Sequence, residues 1–131
     1  MVNFTPDLEV GIMNIDTQHK ELFKRINDVV ALGVKSVSKE ETDKTIKMLG
    51  DYIVKHFRDE EQLMAQKKYP KLDAHKLLHA QYIESFNKLK ADYAANGPSA
   101  NFTLLLNKSI IDWIVKHIRT QDKDFGQFSK G

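Results

Sequence analysis

Four stretches of the chain carry apolar residues at helical spacing, separated by three short polar breaks. In the first, over 17–37, Leu22, Phe23, Ile26, Val30 and Val34 share one face, and Asp16 stands where an N-cap is expected. "SKEE" places Ser38 three residues before Glu41, the spacing of a capping box. A second helix follows over 39–67, with Ile46, Leu49, Ile53, Phe57 and Met64 inward. "KKYPK" breaks that pattern, and Pro70 suits the first turn of a third helix over 70–94, carrying Leu72, Leu78, Tyr82, Ile83, Phe86 and Leu89. After the turn "NGPSAN", a fourth helix over 100–121 carries Leu105, Ile110, Trp113 and Ile114. Short connections make consecutive helices antiparallel neighbours, which predicts an all-α, up-down-up-down four-helix bundle. Residues 1–16 are expected as a non-helical arm packed on the bundle through Phe4, Leu8, Val10 and Ile12, with 1–131 forming one domain.

Polar residues interrupt these apolar stripes in a consistent way. His19 shares a face with Leu22, Phe23 and Ile26; His56 follows Leu49 and Ile53, and Glu60 continues that line towards Leu63 and Met64. His75 and His79 lie between Leu72 and the Tyr82–Ile83–Phe86 group, and His117 comes one turn after Trp113 and Ile114. All five histidines therefore point at the core, one, one, two and one from the four helices. A single such histidine is unremarkable. Five together are not, because each buried polar group without a partner costs roughly 1–3 kcal/mol, against a net domain stability of about 5–15 kcal/mol. Shared coordination to metal resolves the conflict, since side chains at i and i+4 converge on one point. Five imidazoles overfill one tetrahedral site but suit two metals bridged by carboxylates. Glu60 is the first bridging candidate, and "HIRTQDKDF" offers Asp122 or Asp124 as the second. Asp122 lies five residues after His117, about 140° from its face in an ideal helix, so it needs a helix that ends or loosens, as in a π-type turn. Asp59 and Glu61 read as solvent-facing neighbours of Glu60.

Composition narrows the class further. Lys and Arg number 20 against 18 Asp and Glu, a net charge of +2, and the interspersed signs leave no basic stripe for nucleic acid. The absence of cysteine excludes disulfides, iron–sulfur clusters and thiolate zinc sites. The N-terminus lacks the pattern of a signal peptide, and no apolar run approaches membrane-spanning length. A cytoplasmic chain is expected. The mixed surface charge, with no apolar stripe left over, favours a monomer.

"VGIMNIDTQHKEL", "HFRDEEQLM", "YPKLDAHKLLH" and "WIVKHIRTQD" resemble, in this order, the motifs of the hemerythrin family, in particular its stand-alone bacterial members. The resemblance implies two iron ions, one held by His75, His79 and His117 and the other by His19 and His56, bridged by Glu60, Asp122 and an oxo or hydroxo group. By the same resemblance the second bridge falls on Asp122, dioxygen binds on the iron of His19 and His56, and Leu22, Phe57, Trp113, Ile114 and Ile118 line the oxygen pocket. The implied function is reversible oxygenation, as an oxygen carrier or store serving an oxygen-consuming enzyme. The alternatives are an oxygen or redox sensor, iron storage or detoxification, and an enzyme handling peroxide or nitric oxide. With nine residues after Asp122, no output domain is expected in cis, so a sensor would need a separate partner. Bundle di-iron sites with four carboxylates and two histidines have the opposite ligand balance. A shell of five neutral imidazoles and two carboxylates should favour ferrous iron and a binding protein over an enzyme.

Overall fold

Each of the four apolar stripes is helical in the computed structural model, which describes residues 2–32 and 38–131. Helix α1 (Met13–Ala31) turns Ile15, Leu22, Phe23, Ile26 and Val29 inward. Helix α2 (Lys39–Gln66) buries Ile46, Leu49, Ile53, Phe57 and Met64, and α3 (Leu72–Asn96) buries Tyr82, Phe86 and Leu89. The fourth, α4, is a continuous helical rod over 100–130. Its α-helical pieces are Ala100–Leu105, Trp113–His117 and Lys123–Lys130, joined by π-helical turns at Leu106–Asp112 and Ile118–Asp122. Consecutive helices pack on one another, and no strand occurs among the described residues. The result is the up-down-up-down bundle that the short connections imply.

That alternation decides where the polar core residues meet. His19 lies early in α1 and His75 and His79 early in α3, whereas His56, Glu60, His117 and Asp122 lie late in α2 and α4. Early turns of odd helices and late turns of even ones share one end of such a bundle. Among the described residues the other end is mainly apolar, with Leu49, Phe86 and Leu89 buried there beside the single buried polar residue Thr42. Each fully buried side chain of this size is worth roughly 1.5–3 kcal/mol.

Helix ends depart from the sequence expectations in four places. Helix α1 begins at Met13, so Asp16 is inside it and is not the N-cap; that position is Ile12. The Asp16 carboxylate instead reaches back to accept from the N–H groups of Val10 (2.8 Å) and Gly11 (3.2 Å), tying the arm to the helix start. Pro70 precedes α3 rather than starting it, the cap being Lys71. The arm contains one short 3₁₀ turn, Pro6–Leu8, and its Val2, Leu8 and Val10 are buried. Finally, α4 runs on to Lys130 instead of stopping near 121, because Phe125 is fully buried beside Tyr69 (ring centroids 5.0 Å apart). The expected end of the first helix, with Val34, lies in 33–37, outside the described residues. Ser38 caps α2 as expected, accepting from the Glu41 N–H at 3.1 Å.

Gly126 explains how the arm sits on the end of α4. A Cβ at this position would collide with the carbonyl oxygen of Val10. Backbone cannot swing aside as a side chain does. Gly126→Val should therefore destabilise the protein by about 1–3 kcal/mol through overpacking, outweighing a helix-propensity gain of less than about 0.5 kcal/mol. Urea denaturation measures this directly, and an unchanged midpoint would mean that the arm does not need this close approach.

Candidate metal centre

Seven side chains that the sequence scatters over a hundred residues meet in the core: His19, His56, Glu60, His75, His79, His117 and Asp122. All are buried, none more than 3% exposed. Their donor atoms fall into two sets, Glu60–His75–His79–His117–Asp122 and His19–His56–Glu60–Asp122, each with its atoms within 4.8 Å of one another. The two sets share Glu60 and Asp122.

The shared carboxylates divide their oxygens between the two sets. Glu60 Oε1 lies 2.9 Å from His75 Nε2 and 3.2 Å from His79 Nε2, while its Oε2 faces His56 Nε2 (3.6 Å) and His19 Nε2 (3.8 Å). Asp122 Oδ1 lies 3.0 Å from His75 Nε2 and 3.2 Å from His117 Nε2, and its Oδ2 lies 3.1 Å from His19 Nε2. A carboxylate that turns one oxygen to each of two donor sets is placed to bridge two cations.

Asp122 reaches this position through the π-helical turn Ile118–Asp122. In α-helical geometry the five-residue step from His117 would carry it about 140° away. The i→i+5 bonding of a π turn brings the two side chains back to one face. Asp124 is exposed on the far side of the same rod and does not join the cluster.

Donor spacing and satisfaction both fit metal ions. His75 Nε2 and His117 Nε2 are 3.1 Å apart, close to the edge of about 3 Å that an octahedron with metal–nitrogen bonds of about 2.1 Å would have. Among the described residues, the buried side-chain polar atoms without a hydrogen-bond partner are nearly all here: both ring nitrogens of His19, His56 Nε2, His79 Nε2, His117 Nδ1, Glu60 Oε2 and both Asp122 oxygens. Asp92 Oδ2 is the exception. Several of these atoms are close to one another without hydrogen-bonding geometry, because they aim at points between them. Such orphaned atoms cost roughly 1–3 kcal/mol each unless something else satisfies them.

The metal-free charges of the cluster are strongly interdependent. Burial pushes the His56 imidazole down to about 4, with nearby Glu60 opposing. Burial also disfavours the charged form of His75, but Asp122 and Glu60 outweigh it and lift this imidazole to about 9. His19 is raised for a similar reason, burial being overcome chiefly by Asp122. Burial alone would raise the Asp122 carboxyl, yet His117, His19 and His75 hold it well below the usual range. Glu60, buried and beside Asp122, is nevertheless lowered by His75, His79 and His56.

Two supporting contacts were not expected from sequence. His79 Nδ1 donates to Glu61 Oε2 at 2.7 Å, so Glu61 does not simply face solvent; it turns towards α3 and is half-buried. His56 Nδ1 donates to Gln18 Oε1 at 2.7 Å, and Gln18 Nε2 donates to Asp59 Oδ2 at 2.9 Å. Asp59 also pairs with Lys55 at 2.7 Å. Both acids sit beside Glu60 on α2, but they are taken up by neighbouring helices. Nothing in the local pattern marks Gln18, and the only signal for Glu61 is its adjacency to Glu60.

Four of the five expected pocket residues are in the core, and Trp113 packs against it. Leu22, Ile114 and Ile118 are fully buried, and Phe57 nearly so. The Phe57 ring stacks on His79 with centroids 3.7 Å apart, and the partly buried Trp113 stacks on His117 at 4.7 Å. Both aromatics thus brace imidazoles of the three-histidine set.

Two adjoining imidazole sets joined by two carboxylates, at one end of an antiparallel four-helix bundle, define a histidine-rich protein with a paired metal centre. The model of the hemerythrin HHE cation binding domain matches residues 10–128. A myohemerythrin of Theromyzon tessulatum is 33% identical over 114 residues, covering 87% of this chain and 82% of the relative. A bacteriohemerythrin of Clostridium acetobutylicum is 30% identical over 125 residues, covering 91% and 94%. A crystal structure of wild-type hemerythrin superposes with a TM-score of 0.81 at 28% identity, covering 97% of this chain and 95% of that one. The chain belongs to the hemerythrin family.

Proposed function

We propose that this protein binds dioxygen reversibly at a di-iron centre, acting as an oxygen carrier or store. His75, His79 and His117 hold one iron, His19 and His56 the other, and Glu60 and Asp122 bridge them. The observation that carries this reading is the division of each carboxylate's two oxygens between the two imidazole sets. Bound there, a pair of ferrous ions supplies the two electrons that reversible oxygenation draws on.

The chain's own residues account for the rest. Three imidazoles face one side and two the other, so the side of His19 and His56 has one protein donor fewer. We place dioxygen on that side. Leu22 stands three residues after His19, and Ile114 three before His117, all fully or nearly fully buried. These apolar neighbours keep bulk water from the open side and offer no acid or base that could drive further chemistry. That supports a binding protein rather than an enzyme. No described helix is long and apolar enough to cross a membrane.

Purified protein should carry two irons per chain, and its optical spectrum should change and recover over repeated cycles of oxygenation and deoxygenation. Nitrogen-rich sites prefer copper and zinc over ferrous iron, so the metals must be assayed before the spectrum is interpreted. One iron per chain after full reconstitution would overturn the ligand assignment. Two irons with no reversible spectral change would overturn the oxygen-binding role.

A further inference from the structure

Among the described residues, two imidazoles have a side-chain acceptor on Nδ1, and they are supported unequally. His79 donates to a carboxylate, Glu61 Oε2, at 2.7 Å, whereas His56 donates to a neutral amide, Gln18 Oε1, also at 2.7 Å. The distances match and only the charge differs. His79 belongs to the three-histidine set and His56 to the two-histidine set. An imidazole that donates to an anion gains electron density at its other nitrogen and becomes the stronger ligand, and such outer partners typically change metal affinity by roughly 10–100-fold.

We propose that Glu61 and Gln18 are positioning residues that grade the two halves of the centre. Glu61 tightens the metal held by His75, His79 and His117, and Gln18 leaves the metal held by His19 and His56 more weakly bound. This rests on the paired-metal reading above. The neutral amide is itself secured: Gln18 Nε2 donates to Asp59 Oδ2, which is anchored by Lys55. The amide therefore presents its oxygen to His56 in a fixed sense. A carboxylate at position 18 would face Asp59 across the same short gap.

Metal release from fully loaded protein into a strong chelator tests the grading without reference to oxygen binding. The wild type should release its metal in two phases of equal amplitude. Glu61→Gln keeps an acceptor of the same shape and removes only the charge, so it should speed the slow phase about 10-fold or more and leave the fast phase alone. The double variant Gln18→Glu with Asp59→Asn moves the charge onto the acceptor of His56 and lets the new amide at 59 donate in turn. It should slow the fast phase by a similar factor. Cobalt-loaded protein adds a second readout, because the ligand-field bands of the two ions should shift separately in the two variants.

A purely structural role predicts otherwise, since Gln at 61 preserves the hydrogen bond and would leave both phases unchanged. Unchanged phases, or an effect of Glu61→Gln on the fast phase alone, would overturn the grading while leaving the paired centre standing. Wild-type protein that loads fewer than two metals per chain would instead overturn the paired reading itself. Thermal melts of the metal-free variants confirm that each still folds.

Discussion

Removal of both metal ions should lower the melting temperature by roughly 12 °C or more, taking about 4 kcal/mol for a thousand-fold excess of free metal over Kd and about 3–5 °C per kcal/mol in a domain of this size. The cause lies in the core. Without metal, His19, His56, His79, Glu60 and Asp122 leave cluster-facing atoms buried with no hydrogen-bond partner. The bundle must then tolerate these orphans or open locally to hydrate them. The opposite, mainly apolar end should keep its packing, so the metal-free chain is expected to stay helical while losing order at the end that carries His75 and Asp122. Melting curves of iron-loaded and chelator-treated protein in one buffer measure the difference. Equal midpoints would show that the cluster is satisfied without metal and would remove the stability argument for the centre.

The features that could be read from sequence, and those that could not, differ in physical kind. Burial of an entire stripe is periodic, so the four helices and the inward aim of all five histidines follow from spacing. Glu60 could be placed because it lies one turn after His56 on an apolar line. Asp122 was visible only as a conflict: its spacing from His117 contradicts an ideal helix, and the resemblance to the family names it where geometry leaves Asp124 open. The π-helical turn at Ile118–Asp122 resolves that conflict, and no local propensity announces it.

What escaped the sequence depends on contacts between distant segments. Asp16 has the residue type and position of an N-cap, yet its carboxylate serves the arm, because Val10 and Gly11 bring their N–H groups to it. The extension of α4 past 121 hangs on Phe125 and on Gly126 meeting Val10, a contact between opposite ends of the chain. Glu61 and Gln18 are ordinary polar helix residues until α3 and α2 present His79 and His56 to them. One-dimensional patterns report which face is buried. They do not report which polar neighbour of that face finds a partner on the next helix.

Leu22→Asn should leave two irons per chain and oxygen binding in place, yet raise the autoxidation rate about 10-fold or more, equivalent to at least about 1.4 kcal/mol at the barrier. Leu22 is fully buried and lies three residues after His19 on the same face of α1, on the side where we place dioxygen. Its methyl groups give water and small anions nothing to bind. Asparagine has the same branched skeleton but carries a donor and an acceptor that can hold a polar guest beside the open position. Azide should accordingly enter faster as well. The substitution also costs stability, roughly 1–3 kcal/mol for an unpartnered buried polar group. Rates must therefore be taken per site in folded, fully metallated protein, well below its melting temperature. Leu22→Met separates the two effects, because it changes packing but stays apolar, and it should autoxidise like the wild type. An unchanged rate in Leu22→Asn would make Leu22 a plain core residue and move the guarding role to Ile114 and Ile118, both fully buried and flanking His117 in the sequence.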